Sequence, residues 1–410
     1  MPLLNDELAW FNGGAFEPHG RWLASGHGGT VILWNLAGRR SVVYRGQKGP
    51  AIFVAFTPDG RLVSTSDASV VRLWPFMADP QGEARELWSQ RRKGRERLEN
   101  PPLVSADGHL AVVLQLQPGK AIVLPLDGSP ALVHALGRAS AGAPTLDADG
   151  RRLAVASYVF GNPEASSIRI LDLATGEERA LRVEETSGAC RALLEAFGPA
   201  EAPLWLPDGR LVSEGATGLR IWDLSDGSSR QLRPCRPEME ATYFALLLAT
   251  PDSSTLVSLF VPRQQGVSSA LSVFDLRTRS TRDITSHGTE PRSAALDTSG
   301  TILVTGGDDG LVRVGPLAGG EPHLLYGHTR AVGSVAVSPD GRWIASASDD
   351  ETIRLWPMPE GPPLHTLPYE ELLAKLRSLT NLRVVPDPES ATGYALEPGP
   401  IPNWAVAPEW

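Results

Sequence analysis

The sequence predicts an all-β chain in which one four-stranded antiparallel unit is repeated and closed into a ring. Three observations predict it. One segment recurs eight times in 410 residues. Each copy carries a tight-turn tetrapeptide between two β-rich runs. Glycine (41) and proline (35) are abundant, as a chain of closely spaced turns requires. Recurrence at a fixed period marks a repeat architecture, because each copy is a unit that buries its faces only against its neighbours.

The clearest copies are GAFEPHGRWLASGHGGTVILWNL from Gly14, VAFTPDGRLVSTSDASVVRLWPF from Val54 and VAVSPDGRWIASASDDETIRLWPM from Val335. Weaker copies start at Leu103, Thr145, Leu204 and Ala295, and the copy from Leu247 has lost its turn glycine. The turn residue falls at Gly20, Gly60, Gly108, Gly150, Gly209, Ser253, Gly300 and Gly341, a mean step of about 46 residues. A period of about 40–45 residues is that of a four-stranded propeller blade.

Within a copy the strands follow from local chemistry. Thr57-Pro58-Asp59-Gly60 fits a type I turn, with proline presetting φ at the second position and glycine suited to the fourth. AIFVAF precedes it and RLVSTS follows. A second turn, such as Asp349-Asp350-Glu351, leads to a third strand, TIRLW. A weaker fourth strand is read in SVVYR (41–45), ARELW (84–88) and PLHTLP (363–368). One such sheet cannot cover both its faces; a ring of them can, leaving only short edges. The count gives eight blades, or seven if one weak copy is a strand insertion or the chain starts mid-ring. The first and last copies both read as four-stranded, so closure needs no strand borrowed from the other end.

Composition sets the outer bounds. Hydrophobic residues make up 42% and charged residues 21%, as in a globular chain. The net charge of −9 argues against bulk nucleic-acid binding. Two cysteines, Cys190 and Cys235, give neither a disulfide framework nor a thiolate zinc site. The N-terminus has no basic region followed by an apolar run, and no stretch reaches 18 apolar residues, so neither a secretory signal nor a membrane span is expected. The expected location is the cytoplasm.

Over roughly residues 10–368 the copies resemble WD40 repeats. Trp222-Asp223 carries the Trp-Asp pair; Trp34-Asn35, Trp74-Pro75, Trp356-Pro357, Leu171-Asp172 and Phe274-Asp275 stand in the same place elsewhere, and Gly327-His328 carries the Gly-His pair. The resemblance implies a structural hydrogen-bond set joining that histidine, a serine of the second strand, the tryptophan of the third and the turn aspartate. The last repeat supplies all four: His328, Ser346 or Ser348, Trp356 and Asp350. Repeat two has Trp74 but Gln47 and Ala68 at the His and Asp places. The expected organisation is a lead-in over 1–10, a propeller over 11–368 and a C-terminal helix and strap over 369–410. Tyr369–Leu379 places Tyr369, Leu372, Leu373, Leu376 and Leu379 on one helical stripe, and the rest is proline-punctuated. This tail also resembles the ends of large bacterial signalling proteins in which a kinase or STAND-type NTPase precedes WD40 repeats. That resemblance implies the sensing or scaffolding half of such a system, either free-standing or a piece of a longer chain.

Catalytic signatures are lacking. The eight histidines form neither HExxH nor an (i, i+4) pair, and GxSxG and GxxxxGK[ST] are absent. No cofactor, metal or catalytic residue is predicted. Ser25-Gly26-His27-Gly28-Gly29 reads as a turn, and Asp309 and Asp350 as turn carboxylates. Arg72, Arg169, Arg220, Arg313 and Arg354 recur two residues before the tryptophan position, which reads as structure: stems between blades, heads at solvent or a carboxylate.

In a meander, the links between second and third strands and between successive blades share one end. The long segments 89–100, 184–201, 233–241, 158–167 and 261–269 read as links of this set. Loops on one end of a rigid scaffold are where binding resides. The candidate partner-binding residues are therefore Arg91, Arg92, Lys93, Arg95 and Arg97, then Leu193, Leu194 and Phe197 on a short helix, Tyr158 and Phe160, and Arg263 and Gln264. The basic run suits an acidic partner, and without interleaved aromatic residues it gives no specific nucleic-acid site. The expected function is a non-enzymatic scaffold or sensor binding protein partners, monomeric by itself. A propeller enzyme with a central-channel site and a regulatory subunit of a separately encoded enzyme are the alternatives.

Overall fold

The computed structural model describes residues 14–27, 29–36, 41–49, 51–75, 84–90, 98, 101–116, 119–137, 144–159, 162–182, 202–215, 218–234, 242–262, 270–288, 290–372, 374, 382–386 and 394–398. Two compact units divide the chain, residues 1–358 and 359–410.

The first unit is a β-propeller. Its blades span 14–45, 51–89, 103–137, 145–181, 202–233, 242–283, 291–325 and 332–357. The first seven are four-stranded antiparallel meanders in sequence order, and the eighth has three strands among the described residues. The eight-blade reading holds, and seven is set aside.

The hairpin between first and second strands repeats around the ring. Gly60 N–H donates to Thr57 O at 2.9 Å and Thr57 N–H to Arg61 O at 2.8 Å. The same three-residue-back bond is made by Gly20, Gly108, Gly150, Gly209, Ser253, Gly300 and Gly341. All eight of these residues have positive φ, from 56° at Ser253 to 86° at Gly60 and Gly209. The turn geometry demands that conformation, which is why glycine recurs there and why Ser253 can hold the place only under strain.

Burial explains the closure. Among the described residues the apolar core falls into eight clusters, each drawn mainly from two neighbouring blades. Val63, Val71 and Leu73 of blade two meet Ala111, Val113 and Ile122 of blade three. Leu206 and Val212 of blade five meet Leu256 and Phe274 of blade six. The last cluster joins Leu23 of blade one to Ala345 and Ile353 of blade eight. At the hairpin end, a β-carbon on Gly20 would lie 2.7 Å from the Asp340 side chain, so the first and last turns are also in contact.

Four expectations are corrected. PLHTLP is not a fourth strand: Leu364–Thr366 is a 3₁₀ turn, with Thr366 N–H donating to Pro363 O at 3.0 Å. The prolines at 362, 363 and 368 withhold the donors a ladder strand needs. Residues 158–167 are not a loop, because strands Arg152–Val159 and Asn162–Asp172 run on until Val159 pairs with Asn162. The segment 89–100 is not only a surface link, since Leu98 is 2% exposed in the blade two–three core and bridges Gln115. In the second unit the strap is a hairpin, Leu382–Pro386 antiparallel to Tyr394–Pro398, while helix is described at 369–372 and 374 and the remainder of 375–379 lies outside the described residues.

Gly341 isolates the cost of the turn conformation, because its φ is +70° and a β-carbon there meets nothing within 4 Å. Gly341→Ala is expected to lower stability by about 1–2 kcal/mol, and Gly341→Asn by less, since asparagine tolerates this region. Urea unfolding of the three proteins checks the order.

Candidate functional site

The last blade contains a connected polar chain in its interior. Trp356 Nε1–H donates to Ser346 Oγ at 2.8 Å. Ser346 Oγ lies 2.7 Å from His328 Nε2, and His328 Nδ1 lies 2.9 Å from Asp350 Oδ2. Indole nitrogen only donates, so the serine proton is free to point at Nε2, and the neutral histidine then carries its proton on Nδ1 toward the carboxylate. Asp350 also accepts from Thr329 N–H at 2.9 Å and Thr352 Oγ at 2.6 Å. Burial by itself would raise this carboxyl, but the hydrogen bonds from Thr352, Thr329 and His328 bring it down to about 2. Burial lowers the basicity of His328, against the opposing pull of Asp350. Of the two serines left open by the sequence, Ser346 is in the chain. Ser348 instead donates to Arg330 O at 3.0 Å and accepts from Asp350 N–H at 3.1 Å, which fixes the turn.

The same indole-to-serine bond recurs as Trp34–Ser25, Trp74–Ser64 and Trp222–Ser213, at 2.9, 2.8 and 3.0 Å. Residues 10–35, 278–314 and 319–357 match the family model described as WD domain, G-beta repeat. These segments are WD40 repeats.

A WD repeat-containing protein, SL1-17, of Schistosoma mansoni is 42% identical over 67 residues, covering 16% of this chain and 22% of that protein. Protein tipD of Dictyostelium discoideum is 30% identical over 123 residues, 30% of this chain and 20% of its own. Protein Mut11 of Chlamydomonas reinhardtii is 48% identical over 44 residues, 11% of this chain and 12% of its own. The chain thus spans about a fifth or less of the length of these curated relatives. All three come from eukaryotes, and they lend no support to the likeness between residues 369–410 and bacterial kinase or STAND-type proteins.

The WD40 position tolerates other solutions; reading the repeat by residue identity placed Gln47 without its role and missed the others. In blade two, Gln47 stands in for histidine: Ser64 Oγ donates to Gln47 Oε1 at 3.0 Å, and Gln47 Nε2 donates to Val70 O at 3.3 Å. In blade seven, His287 sits 18 residues before Thr305, the same offset as His328 before Ser346, and its Nδ1 lies 2.9 Å from Thr305 Oγ. The tryptophan place there is Gly315, beside His287 Nε2 and Pro322. Burial, reinforced by the Arg313 cation, pushes His287 down to about 4. In blade six, Ser258 and Phe274 hold the serine and tryptophan places, and two charges from blade five complete the set. Arg233 Nη2 donates to Glu214 Oε1, Ser258 Oγ to Glu214 Oε2, and Arg233 Nη1 to Ser272 Oγ at 2.9 Å. Glu214 and Arg233 are only 2% and 7% exposed. The signals were present in the spacing of His287 and in a charge inside the apolar strand LVSEG.

Four of the five recurrent arginines find carboxylates or hydroxyls. Arg169 Nη1 lies 2.7 Å from Glu178, Arg72 Nη2 3.7 Å from Glu86, Arg313 Nη1 3.2 Å from Asp309, and Arg220 Nη1 donates to Ser229 Oγ at 3.1 Å.

The candidate loops are less open to description. Arg91, Arg92, Lys93, Arg95, Arg97, Leu193, Leu194, Phe197, Phe160, Arg263 and Gln264 lie outside the described residues, and Tyr158 falls in the backbone of strand Arg152–Val159. Their flanking strands put 90–102, 182–201, 234–241 and 263–269 at one end of the ring. One long link, 75–84, joins third and fourth strands and so lies at the opposite end, against the expectation that all long segments share one end. No group of three or more His, Cys, Asp or Glu able to hold a metal occurs among the described residues. No described helix is long and apolar enough to cross a membrane.

Two outcomes follow from these buried groups. His287 stays neutral when folded but takes a proton near 6.5 when unfolded, so its contribution is complete above that pH and is lost as pH falls toward 4. The loss amounts to about 3 kcal/mol. His287→Gln, the residue type blade two uses, is expected to flatten that part of the stability profile in urea unfolding across the same pH range. Glu214→Ala strands the Arg233 charge and is expected to cost about 3–5 kcal/mol, whereas Glu214→Leu combined with Arg233→Met recovers most of it; thermal melts of both variants test the pair.

Proposed function

We propose that this chain is a non-enzymatic protein-interaction scaffold or sensor, holding a partner at the end of the ring that carries links 90–102 and 182–201. The observation that supports this reading most is the contrast between the two kinds of link. The hairpins joining first and second strands keep one four-residue geometry around all eight blades. The blade-to-blade links at the other end range from five residues, 46–50, to twenty, 182–201. A rigid repeat that varies freely at one end is the arrangement that binding surfaces use. The cationic run Arg91–Arg97 suits an acidic protein surface and gives the contact a salt dependence. The resemblance of residues 369–410 to bacterial signalling tails favours a signalling setting.

Affinity capture of the tagged chain from its source organism at physiological salt, with mass spectrometry of retained proteins, tests the reading. The control replaces 91–97 and 184–201 by Gly/Ser turns and keeps Leu98, whose side chain belongs to the blade two–three core. A protein retained by the parent and lost from the folded control is the expected result. Equal retention by both removes links 91–97 and 184–201 from the interaction, and stable co-purification with an enzyme favours a regulatory subunit.

A further inference from the structure

Blades six and seven flank an open cleft of about 390 Å³ at the hairpin end of the ring, opposite the blade-to-blade links. Its position follows from the repeat. Elsewhere the tryptophan of one blade covers the third and fourth strands of the blade before it: Trp74 packs with Leu33 and Val42 of blade one. Strand pairing makes Val273 and Arg282 of blade six the counterparts of Leu33 and Val42. Blade seven has Gly315 in the tryptophan place, since Leu303 pairs with it as Ile344 pairs with Trp356. No indole extends from Gly315, and Val273 and Arg282 border the cleft.

The lining is chemically divided. Val273, Leu317 and Ala318 give an apolar side. Asp252 and Asp275 contribute two carboxylates, set among six serines and threonines. Asp252 accepts from Thr250 Oγ at 2.5 Å and Ser254 Oγ at 2.8 Å; Asp275 accepts from Thr278 N–H at 2.7 Å and Arg277 N–H at 2.8 Å, both on Oδ1. These bonds fix the carboxylates and leave acceptor capacity, because an ionised carboxylate accepts about four hydrogen bonds. Both are held below the usual carboxylate range, Asp252 chiefly by Thr250 and Asp275 chiefly by the Thr278 N–H. The lining cation, Arg282, directs Nη2 to the Leu317 carbonyl, and the exposed Arg277 adds a positive charge near Asp275.

We propose that this cleft binds a basic side chain, arginine or lysine, presented by a partner peptide: the aliphatic stem lies along Val273 and Leu317, and the cationic head meets Asp252 and Asp275. The volume lies within the range of small-ligand sites. A charged head with an apolar stem matches a lining divided in the same way. The site does not depend on the loops at the other end of the ring, so replacing 91–97 leaves it intact.

Isothermal titration of the full chain with acetyl-Gly-Arg-Gly-amide, its lysine counterpart and the uncharged citrulline counterpart tests the proposal. Saturable binding of a cationic peptide, not of the citrulline peptide, is expected. Asp252→Asn with Asp275→Asn should weaken it by about tenfold or more, and so should Ala318→Trp, which obstructs the cleft from an exposed turn. Ala318→Trp keeps the test valid if the double variant fails to melt as the parent does. n-Butylguanidinium separates the sources: equal affinity for it and the arginine peptide replaces the partner peptide by a free small cation and overturns that part. No saturable binding at millimolar peptide, or binding indifferent to both variants, overturns the site.

Discussion

A sheet that is apolar on both faces must have a neighbour on each, and the rest of this molecule depends on that requirement. The second and third strands show it most plainly: Leu62–Ser66 is buried at every residue, and Val70–Trp74 at all but one. Such a blade alone would leave both faces in water. In a line of blades the two end faces would still be bare, and the apolar area exposed would cost several kcal/mol at about 25 cal/mol per Å². Closing the line removes both ends at once. Leu23 against Ala345 and Ile353 is therefore the contact on which the other seven interfaces rely, although it joins the most distant parts of the ring in sequence. Contacts of such long sequence separation form at a high entropic cost, so this closure is a late and cooperative event in the folding expected of the ring.

The same burial governs what can stand in the interior. The position that carries serine and tryptophan in four blades is filled in three other ways in the remaining four, and the histidine place varies as well, yet each set is chemically complete. Blades three and four use Val113 with Leu124 and Val155 with Leu171, with no polar side-chain atom at either place. Blade two replaces histidine by an amide that both accepts and donates. Blade six imports a carboxylate and a guanidinium together from its neighbour. Blade seven keeps a histidine and lacks the indole. Replacing a polar set by an apolar one is tolerated, while removing one member strands a buried group at about 1–3 kcal/mol. Drift between blades therefore proceeds by whole sets, which accounts for the gap between how little the copies look alike and how closely their backbones agree.

That gap also sets what the sequence could reveal. The turn residues were legible because backbone geometry restricts them to glycine with one exception, and at Ser253 the position was still found by its spacing. The strands were legible through burial and alternation. His287 was not, and Gln47 was placed at the histidine position without its role, because several side chains satisfy the same hydrogen-bonding need and a search by residue type sees only one. Leu98 was hidden in a cationic run, where its neighbours suggest solvent while its own side chain joins the core. Residues 158–167 looked like a loop because of Gly161, Asn162 and Pro163, yet they lengthen a hairpin whose ladder is set by residues further down both strands.

The two ends of the ring consequently differ in how they can recognise anything. At the hairpin end the turns interlock: Gly108 lies on Pro58, Gly150 on Ser105, Gly300 on Pro251, and Asp208 N–H donates to Ser253 Oγ at 3.2 Å. Binding there is confined to what the interlocked surface leaves open, and the absent indole of blade seven leaves such an opening. At the opposite end several blade-to-blade links set one residue in the interior, Gln47, Leu98, His287 or His328, so sequence added elsewhere in such a link leaves the buried set in place. A change of specificity at the first end requires a change in the core, as Gly315 illustrates. At the second end it requires only a different loop. Closure of the ring supplies the stability for both, so a link that keeps its buried member is otherwise free to vary in length and sequence.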